Sequence, residues 1–433
     1  MAVPRNSLRG FLAQARTALR TAIDSNQKVT FVIGNESADL DSMTCSILYA
    51  YIRSMAPSRS AFTPIYVPIT NIPSSGIQLR PEFLEVFKHA NIETRHLLTL
   101  DDLPELSVIK SKLSPENTKW ILVDHNALQG QLGKIYSERI GGVIDHHDEE
   151  GKVPQETGDE PRVIEKSGSC SSLVTRYLRP SWDLLSSLGM SSGAAHGQGD
   201  GLSDDNAVVQ VWDAEAAQLG LASILIDTAN LEDKSKTTDA DVEAVKYLEA
   251  RVLSCPKFGA NFDRNKFYGA IDAAKKDIGS LQLQDILQKD YKMWDDKGLR
   301  LGISSVVRDI GFLREKAAGE TNTQSPDEAF LDALLGFAKE RSLDLYSVMT
   351  TSTSGQGQFQ RELLLWAFTE AGITAAKKFA ANSRDELGLE VWQGGSGTEY
   401  DDEDEENWRR VWWQRNVQHS RKRVAPLLRE AMS

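Results

Sequence analysis

Lys28–Met55 reads KVTFVIGNESADLDSMTCSILYAYIRSM. Val29–Ile33 is a short continuous apolar run. It gives way to the polar loop GNESADLDS, and a helical pattern then runs from Met43 to about Met55. A strand apolar on both faces, then a loop, then a helix is the unit from which helix-covered parallel sheets are built. The unit recurs along the chain. Ile65–Ile69, Trp120–Val123 (WILV), Gly142–Ile144 (GVI) and Ala222–Ile226 (ASILI) are further strand candidates, and a helix over Leu8–Asp24 precedes the first strand. Strands alternating with helices predict an α/β fold whose N-terminal part is a doubly wound, mostly parallel sheet.

Four of these runs end in acids. FVIG leads to Asn35, Asp39 and Asp41; ILV to Asp124-His125-Asn126; GVI to Asp145-His146-His147; and SILI to Asp227. In open α/β sheets ligands bind outside the carboxyl ends of the strands. Neighbouring strands would therefore bring five aspartates and two or three histidines to one crevice. Each cluster alone is weak. D-x-D is common in solvated loops, and an aspartate after a strand also caps a following helix, the competing reading for Asp124 and Asp227. The positional rule that all four clusters share is the stronger signal. So many like charges destabilise one another unless cations neutralise them. Oxygen ligands with one or two imidazoles suit Mg²⁺, Mn²⁺ or Co²⁺. Two such ions ~3.5–4 Å apart are a recurrent means of phosphoryl hydrolysis.

Length and composition narrow the remainder. The chain has 433 residues, 40% hydrophobic and 26% charged, which fits two or three globular domains. The net charge of −13 disfavours a general nucleic-acid binder. It leaves room for an anionic substrate held by metals and a local basic pocket. No apolar stretch approaches the ~18–20 residues of a membrane span. MAVPRNSLRG lacks the apolar core of a secretory signal, so a cytoplasmic enzyme is expected. The three cysteines, Cys45, Cys170 and Cys255, fit no zinc or redox spacing and read as reduced and buried.

Two stretches read as solvated insertions: about 181–206, rich in Ser, Gly and Asp, and about 394–406, ending in DDEDEE. Ala317–Pro326 also reads as a loop. The expected domains are 1–240 and 260–433. Asp239–Leu253 is a helix before the boundary. The second domain is expected to be a smaller mixed α/β unit. Its strands are Leu299–Val307, Ser347–Thr351 and Glu362–Phe368, and its helices Asn265–Lys275, Leu283–Lys289 and Pro326–Arg341.

In order along the chain, GNESADLDS, ILVDHN, GVIDHHDEEG and ILIDTANL resemble motifs I to IV of the DHH phosphoesterases. The second half resembles the DHHA2 domain, in AAKKDIGSLQLQDILQKDYK (Ala273–Lys292), ISSV (Ile303–Val306) and HSRKRVAPLL (His419–Leu428). The resemblance is nearest to the cytosolic exopolyphosphatases of fungal type. VPITNIPSSGIQLRPEF (Val67–Phe83) looks like that group, and motif I carries Asn35 where pyrophosphatases carry a metal-binding histidine.

The resemblance implies roles residue by residue. Asp39 would hold a first metal, with Asn35 a weak or absent ligand. Asp41, His146 and Asp227 would hold a second, and Asp124 would bridge the two. His147 would face the substrate and Asp145 would orient a histidine of its motif. Ser420, Arg421 and Lys422, with Lys275 or Lys276, would grip the phosphate chain. The basic residues have a plainer reading as solvated helix faces, and His125 an equally plain structural one. Ser169 and Ser172 read first as helix-capping residues. The implied reaction is removal of the terminal phosphate of linear inorganic polyphosphate by a metal-activated hydroxide, in a cleft between the two domains. It needs two divalent ions and no nucleic acid, membrane or obligate protein partner. The rivals are an inorganic pyrophosphatase, a nucleotide phosphodiesterase, and a prune-like protein-interaction protein.

Overall fold

The computed structural model describes residues 5–192, 202–279, 281–321, 325–394, 402–403 and 407–432. The chain divides into two compact units, Met1–Lys275 and Lys276–Ser433.

The first unit holds five strands: β1 (Val29–Ile33), β2 (Tyr66–Ile69), β3 (Thr118–Val123), β4 (Ile140–Asp145) and β5 (Arg162–Ile164). They pair in the order β2-β1-β3-β4-β5, every pair parallel. Its helices are α1 (Leu8–Ser25), α2 (Leu40–Met55), α3 (Pro81–Ala90), the one-turn α4 (Ile109–Lys112), α5 (Gly130–Tyr136), α6 (Cys170–Ser192), α7 (Leu202–Asp227), α8 (Asp239–Leu253) and α9 (Arg264–Lys276). Every residue of β1 is buried, as expected of a parallel strand covered on both faces. So is every residue of α2, a helix in the middle of the core rather than on its surface. From β1 the chain moves to β2 on one side and later to β3 on the other. Strand order thus reverses between β1 and β3, which opens a crevice at their carboxyl ends.

Three expectations change here. Ala222–Ile226 is the last part of α7, not a strand, so Asp227 ends a helix. A short apolar run does not distinguish a buried strand from a buried helix, and Asp213–Leu225 are all buried. Ser181–Ser192 belongs to α6, with Trp182 fully buried and its Nε1 donating to Asp213 at 2.6 Å. Residues 193–201 of that expected insertion lie outside the described ones. The division at Lys275 falls later than 240–260, because α9 adds Phe267 and Ile271 to the first core.

The second unit carries α10 (Leu283–Lys289), β6 (Tyr291–Asp296), β7 (Leu299–Val306), α11 (Ile310–Thr321), α12 (Pro326–Glu340), β8 (Leu345–Thr350), a small hairpin of β9 (Ser352–Thr353) and β10 (Phe359–Gln360), β11 (Glu362–Ala367), α13 (Glu370–Leu387), β12 (Leu389–Val391), β13 (Asp402–Glu403), β14 (Trp408–Gln414) and α14 (Arg421–Ala431). The main sheet runs β12-β14-β11-β8-β7-β6, with β13 on β14. It is mixed: β7 and β8 are parallel and the other pairs antiparallel. Side chains alternate between its faces. Leu363 and Leu365 join one core with Phe379 and Leu428, while Leu364 and Trp366 join another with Phe330 and Phe337. Much of Ala317–Pro326 is helical, since α11 runs to Thr321 and α12 begins at Pro326. Of the expected acidic insertion, residues 395–401 and 404–406 lie outside the described ones, and Asp402–Glu403 pair with β14. Among the described residues no helix is long and apolar enough to cross a membrane. The three cysteines are free and buried.

Candidate metal centre

The loop after β1 is held close to α2. A Cβ on Gly34 would meet the Ser42 Cβ at 2.6 Å, so only glycine allows this approach. Asn35 follows. Its Oδ1 accepts from the Ser37 N–H at 3.0 Å and from Ser37 Oγ at 2.6 Å. A backbone N–H can only donate, so the amide orientation is fixed and Nδ2 faces the other way. There it donates to Asp124 Oδ2 at 2.8 Å. Asn35 therefore meets the centre through nitrogen, not through the oxygen a metal would need. Asp39 caps α2, its Oδ1 accepting from Ser42 N at 3.0 Å.

Asp124 follows β3 directly, with φ +60° and 2% exposure. Its Oδ2 takes two donors, Asn35 Nδ2 and Ser42 Oγ at 2.7 Å. Its Oδ1 lies 3.2 Å from His146 Nε2 and 3.8 Å from His147 Nδ1. His146 Nδ1 sits 3.0 Å from the Ser167 carbonyl, which can only accept. A neutral His146 ring thus carries its proton on Nδ1 and turns the Nε2 lone pair toward a carboxylate oxygen. Two lone pairs in that position need a proton or a metal ion between them. Donor atoms of Asp124, His146 and His147 all lie within 4.8 Å of one another. Asp124 and His146 fit a divalent ion, with His147 beside them.

Asp145, the last residue of β4, is fully buried. Its Oδ1 accepts from the His146 and His147 backbone N–H groups at 2.8 and 3.2 Å and from His147 Nδ1 at 2.7 Å. Its Oδ2 accepts from Asn126 Nδ2 at 2.6 Å. Burial alone would push its pKa up. The hydrogen bond and charge of His147, with the Asn126 amide, outweigh burial and bring it down to about 2. It is therefore His147, not His146, whose ring Asp145 orients.

Asp41 lies in the first turn of α2 and aims at the start of α6. It accepts from Cys170 N at 2.6 Å, Ser171 N at 3.0 Å and Ser169 Oγ at 2.9 Å, and so caps a second helix. Its carboxyl is pushed well above the usual range, first by burial and then by Asp227 and Asp124, with His146 opposing and Asp39 adding. Asp41 thus feels the charges of Asp227, Asp124 and Asp39, although Asp227 arrives on a helix.

Other residues were harder to foresee. Asp241, fully buried, accepts from Gly168 N at 2.9 Å, Ser169 N at 3.2 Å and Ser172 Oγ at 2.6 Å. It fixes the segment that gives Ser167 to His146 and the α6 terminus to Asp41. Thr238-x-x-Asp241 has the spacing of a capping box, but nothing in the sequence links it to Gly168. Ser169 Oγ accepts from Ser171 N at 3.3 Å, a capping contact. His125 Nδ1 turns back to the end of β3, 2.9 Å from the Val123 carbonyl. In the second unit Ser420 caps α14, accepting from Lys422 N at 3.3 Å. Arg421 pairs with Asp290, donating to Oδ1 at 2.6 Å and to the carbonyl at 2.7 Å. Lys275 and Lys276 end α9, the first half-buried and the second exposed.

Family models match at residues 29–192, the DHH family N-terminal domain, and at 269–431, the DHHA2 domain. A Schizosaccharomyces pombe protein named "Putative exopolyphosphatase" is 32% identical over 99% of this chain and 96% of its own. "Exopolyphosphatase PRUNE1" of Homo sapiens is 24% identical over 96% of this chain and 78% of its own. A "Manganese-dependent inorganic pyrophosphatase" of Methanocaldococcus jannaschii is 24% identical over 66% of this chain and 74% of its own. The solved structure titled "Crystal structure of Methanococcus jannaschii putative family II inorganic pyrophosphatase" shares the fold, with TM-score 0.52 at 19% identity, covering 93% of this chain and 99% of that one. With its acids and histidines at the sheet's carboxyl edge and both domains matched in order, the chain belongs to the DHH phosphoesterase family, in the branch that carries a C-terminal DHHA2 domain.

Proposed function

We propose that this protein is a metal-dependent exopolyphosphatase that releases orthophosphate from the end of linear inorganic polyphosphate. The observation that carries the reading is the full-length likeness to the Schizosaccharomyces pombe protein, at 32% identity over 99% of the chain. Asp124 and His146, with Asp39, Asp41 and Asp227, hold the cations. Bound divalent ions (Mg²⁺, Mn²⁺ or Co²⁺) neutralise phosphoryl oxygens and acidify the attacking water. His147, set by Asp145, holds a proton for the leaving oxygen. Arg421, Lys422 and Ser420, with Lys275 or Lys276, bind phosphates of the chain. Pyrophosphatase is the second reading, favoured by the manganese-dependent relatives over about two thirds of the chain.

The test is orthophosphate release from pyrophosphate, tripolyphosphate, long polyphosphate and a cyclic dinucleotide, each with Mg²⁺, Mn²⁺ and Co²⁺. Turnover of the two longer anhydrides well above pyrophosphate is expected. Fastest turnover of pyrophosphate or of the cyclic dinucleotide would replace the reading.

Arg421→Ala and Lys422→Ala are expected to lower kcat/KM on tripolyphosphate by roughly one to two orders of magnitude, since a desolvated charged hydrogen bond is worth ~1.5–3 kcal/mol. Arg421 should be the more sensitive. Asp290 already fixes its guanidinium, and a planar fork can take two phosphate oxygens. Metal titrations of both variants should match wild type. Unchanged kcat/KM in both would reduce the cluster to a solvated helix face.

A further inference from the structure

The segment Val67–Phe83 carries a residue that the reading above leaves without a role. Arg80 lies between a short 3-10 helix at Ser74–Leu79 and Pro81, the first residue of α3, and is 4% exposed. A buried guanidinium is costly unless its donors are met. Its donors are met by backbone carbonyls. Nε donates to Ala38 O at 2.6 Å, Nη2 to Ser37 O, and Nη1 to Gly76 O at 2.7 Å. Two of these carbonyls are consecutive and immediately precede Asp39.

The loop they belong to is conformationally demanding. Ala38 has φ +43°, in the left-handed region that favours glycine. It lies between Asn35, which reaches Asp124, and Asp39, which caps α2. The same segment ties the loop at its start, where Asn71 Nδ2 donates to Gly34 O at 2.9 Å. Gly34 and Ser37–Ala38 are thus both held from Val67–Phe83.

We propose that Arg80 is a positioning residue for the metal centre: by gripping the Ser37 and Ala38 carbonyls it sets the Asn35–Asp39 loop in the geometry that binds a divalent cation. The proposal rests on the reading of Asp39, Asp124 and His146 as a metal centre. An arginine suits the task because its donors diverge in one plane and reach three carbonyls at once. A lysine could reach one or two, and a glutamine amide fewer still.

The experiment uses the full chain and Mn²⁺, followed by electron paramagnetic resonance, with Tm measured in EDTA. Arg80→Gln is expected to weaken Mn²⁺ binding at least tenfold. At subsaturating Mn²⁺ kcat should fall, and it should recover in part as Mn²⁺ is raised, while KM for tripolyphosphate at saturating Mn²⁺ stays within about twofold. Arg80→Lys should lie between wild type and Arg80→Gln. Free guanidinium should restore part of the Mn²⁺ affinity of Arg80→Ala. Arg53→Gln is the control. It breaks another buried pair of this unit, with Glu160 at 3.2 Å, and should lower Tm without moving Mn²⁺ affinity. Should the Arg80 variants not fold, Asn71→Ala loosens the same loop from its other end and should weaken Mn²⁺ binding on its own. Wild-type Mn²⁺ affinity in Arg80→Gln, or in Asn71→Ala where that is the variant available, would overturn the proposal. Failure of the wild-type chain itself to bind Mn²⁺ would instead overturn the metal-centre reading, and the proposal with it.

Discussion

Asp124→Asn is expected to give a folded protein whose phosphate release has dropped at least ~10³-fold, the scale of losing a main electrostatic stabiliser of the transition state. The surroundings say why fold and activity part company. Asp124 sits at φ +60°, where asparagine is at least as well tolerated as aspartate. An asparagine oxygen placed at Oδ2 would keep the bonds from Asn35 Nδ2 and Ser42 Oγ. Its new NH₂ would then face His146 Nε2, now 3.2 Å from Oδ1, and donate to it. The opposition of lone pairs at this contact would be answered by an amide proton. The variant should therefore show an unchanged or raised Tm in EDTA and lose the Tm rise that Mn²⁺ gives wild type. One carboxylate fewer also relieves Asp41, which Asp124 and Asp227 push upward. Retention of more than about a tenth of the wild-type rate at saturating metal, a change of under ~1.4 kcal/mol in the barrier, would show that Asp124 does not carry the chemistry.

What the sequence disclosed about this centre was position along strands. β1, β3 and β4 are buried on both faces, so their apolar runs stand out, and the polar residue that ends each run marks the sheet's carboxyl edge. Asp39, Asp124, Asp145, His146 and His147 could be placed at that edge on this basis. Asp227 obeyed the same rule for a different reason. The apolar run before it is a helix enclosed on all sides, and five residues are too few to show a period of 3.6. What sequence could not disclose was which atom faces which. Asn35 meets Asp124 through nitrogen because Ser37 N–H claims its oxygen, a consequence of a turn that no spacing rule encodes. Asp41 meets α6, 129 residues further along, and Arg421 meets Asp290, 131 residues back. Such pairings arise only once the cores have packed, and so do the carbonyl contacts of Arg80.

His147→Gln is expected to lower kcat on tripolyphosphate by ~10²–10⁴-fold, the usual worth of a positioned general acid. His147 Nδ1 donates to Asp145 Oδ1 at 2.7 Å. Asp145, at a pKa of about 2, stays ionised across any working pH and so keeps a proton on Nδ1. That bond turns the Nε2 edge away from Asp145, on a side chain that is 26% exposed. An imidazole so placed can carry a second proton on Nε2 for a departing phosphate oxygen. The glutamine variant keeps a polar side chain at this position but has no proton to give the departing oxygen. A second consequence concerns stability. Asp145 titrates lower in the folded chain than in the unfolded one, so its contribution is present above about pH 4 and is lost as pH falls toward 2. A shift of that size corresponds to ~2 kcal/mol. Without His147 the Asp145 pKa should rise, and acid unfolding should begin at a higher pH than in wild type. The measurements are kcat with saturating Mn²⁺ for both proteins, and far-ultraviolet circular dichroism from pH 6 to pH 2. A glutamine variant within about threefold of wild type in kcat would remove His147 from the reaction and leave Asp145 as an anchor for the turn alone.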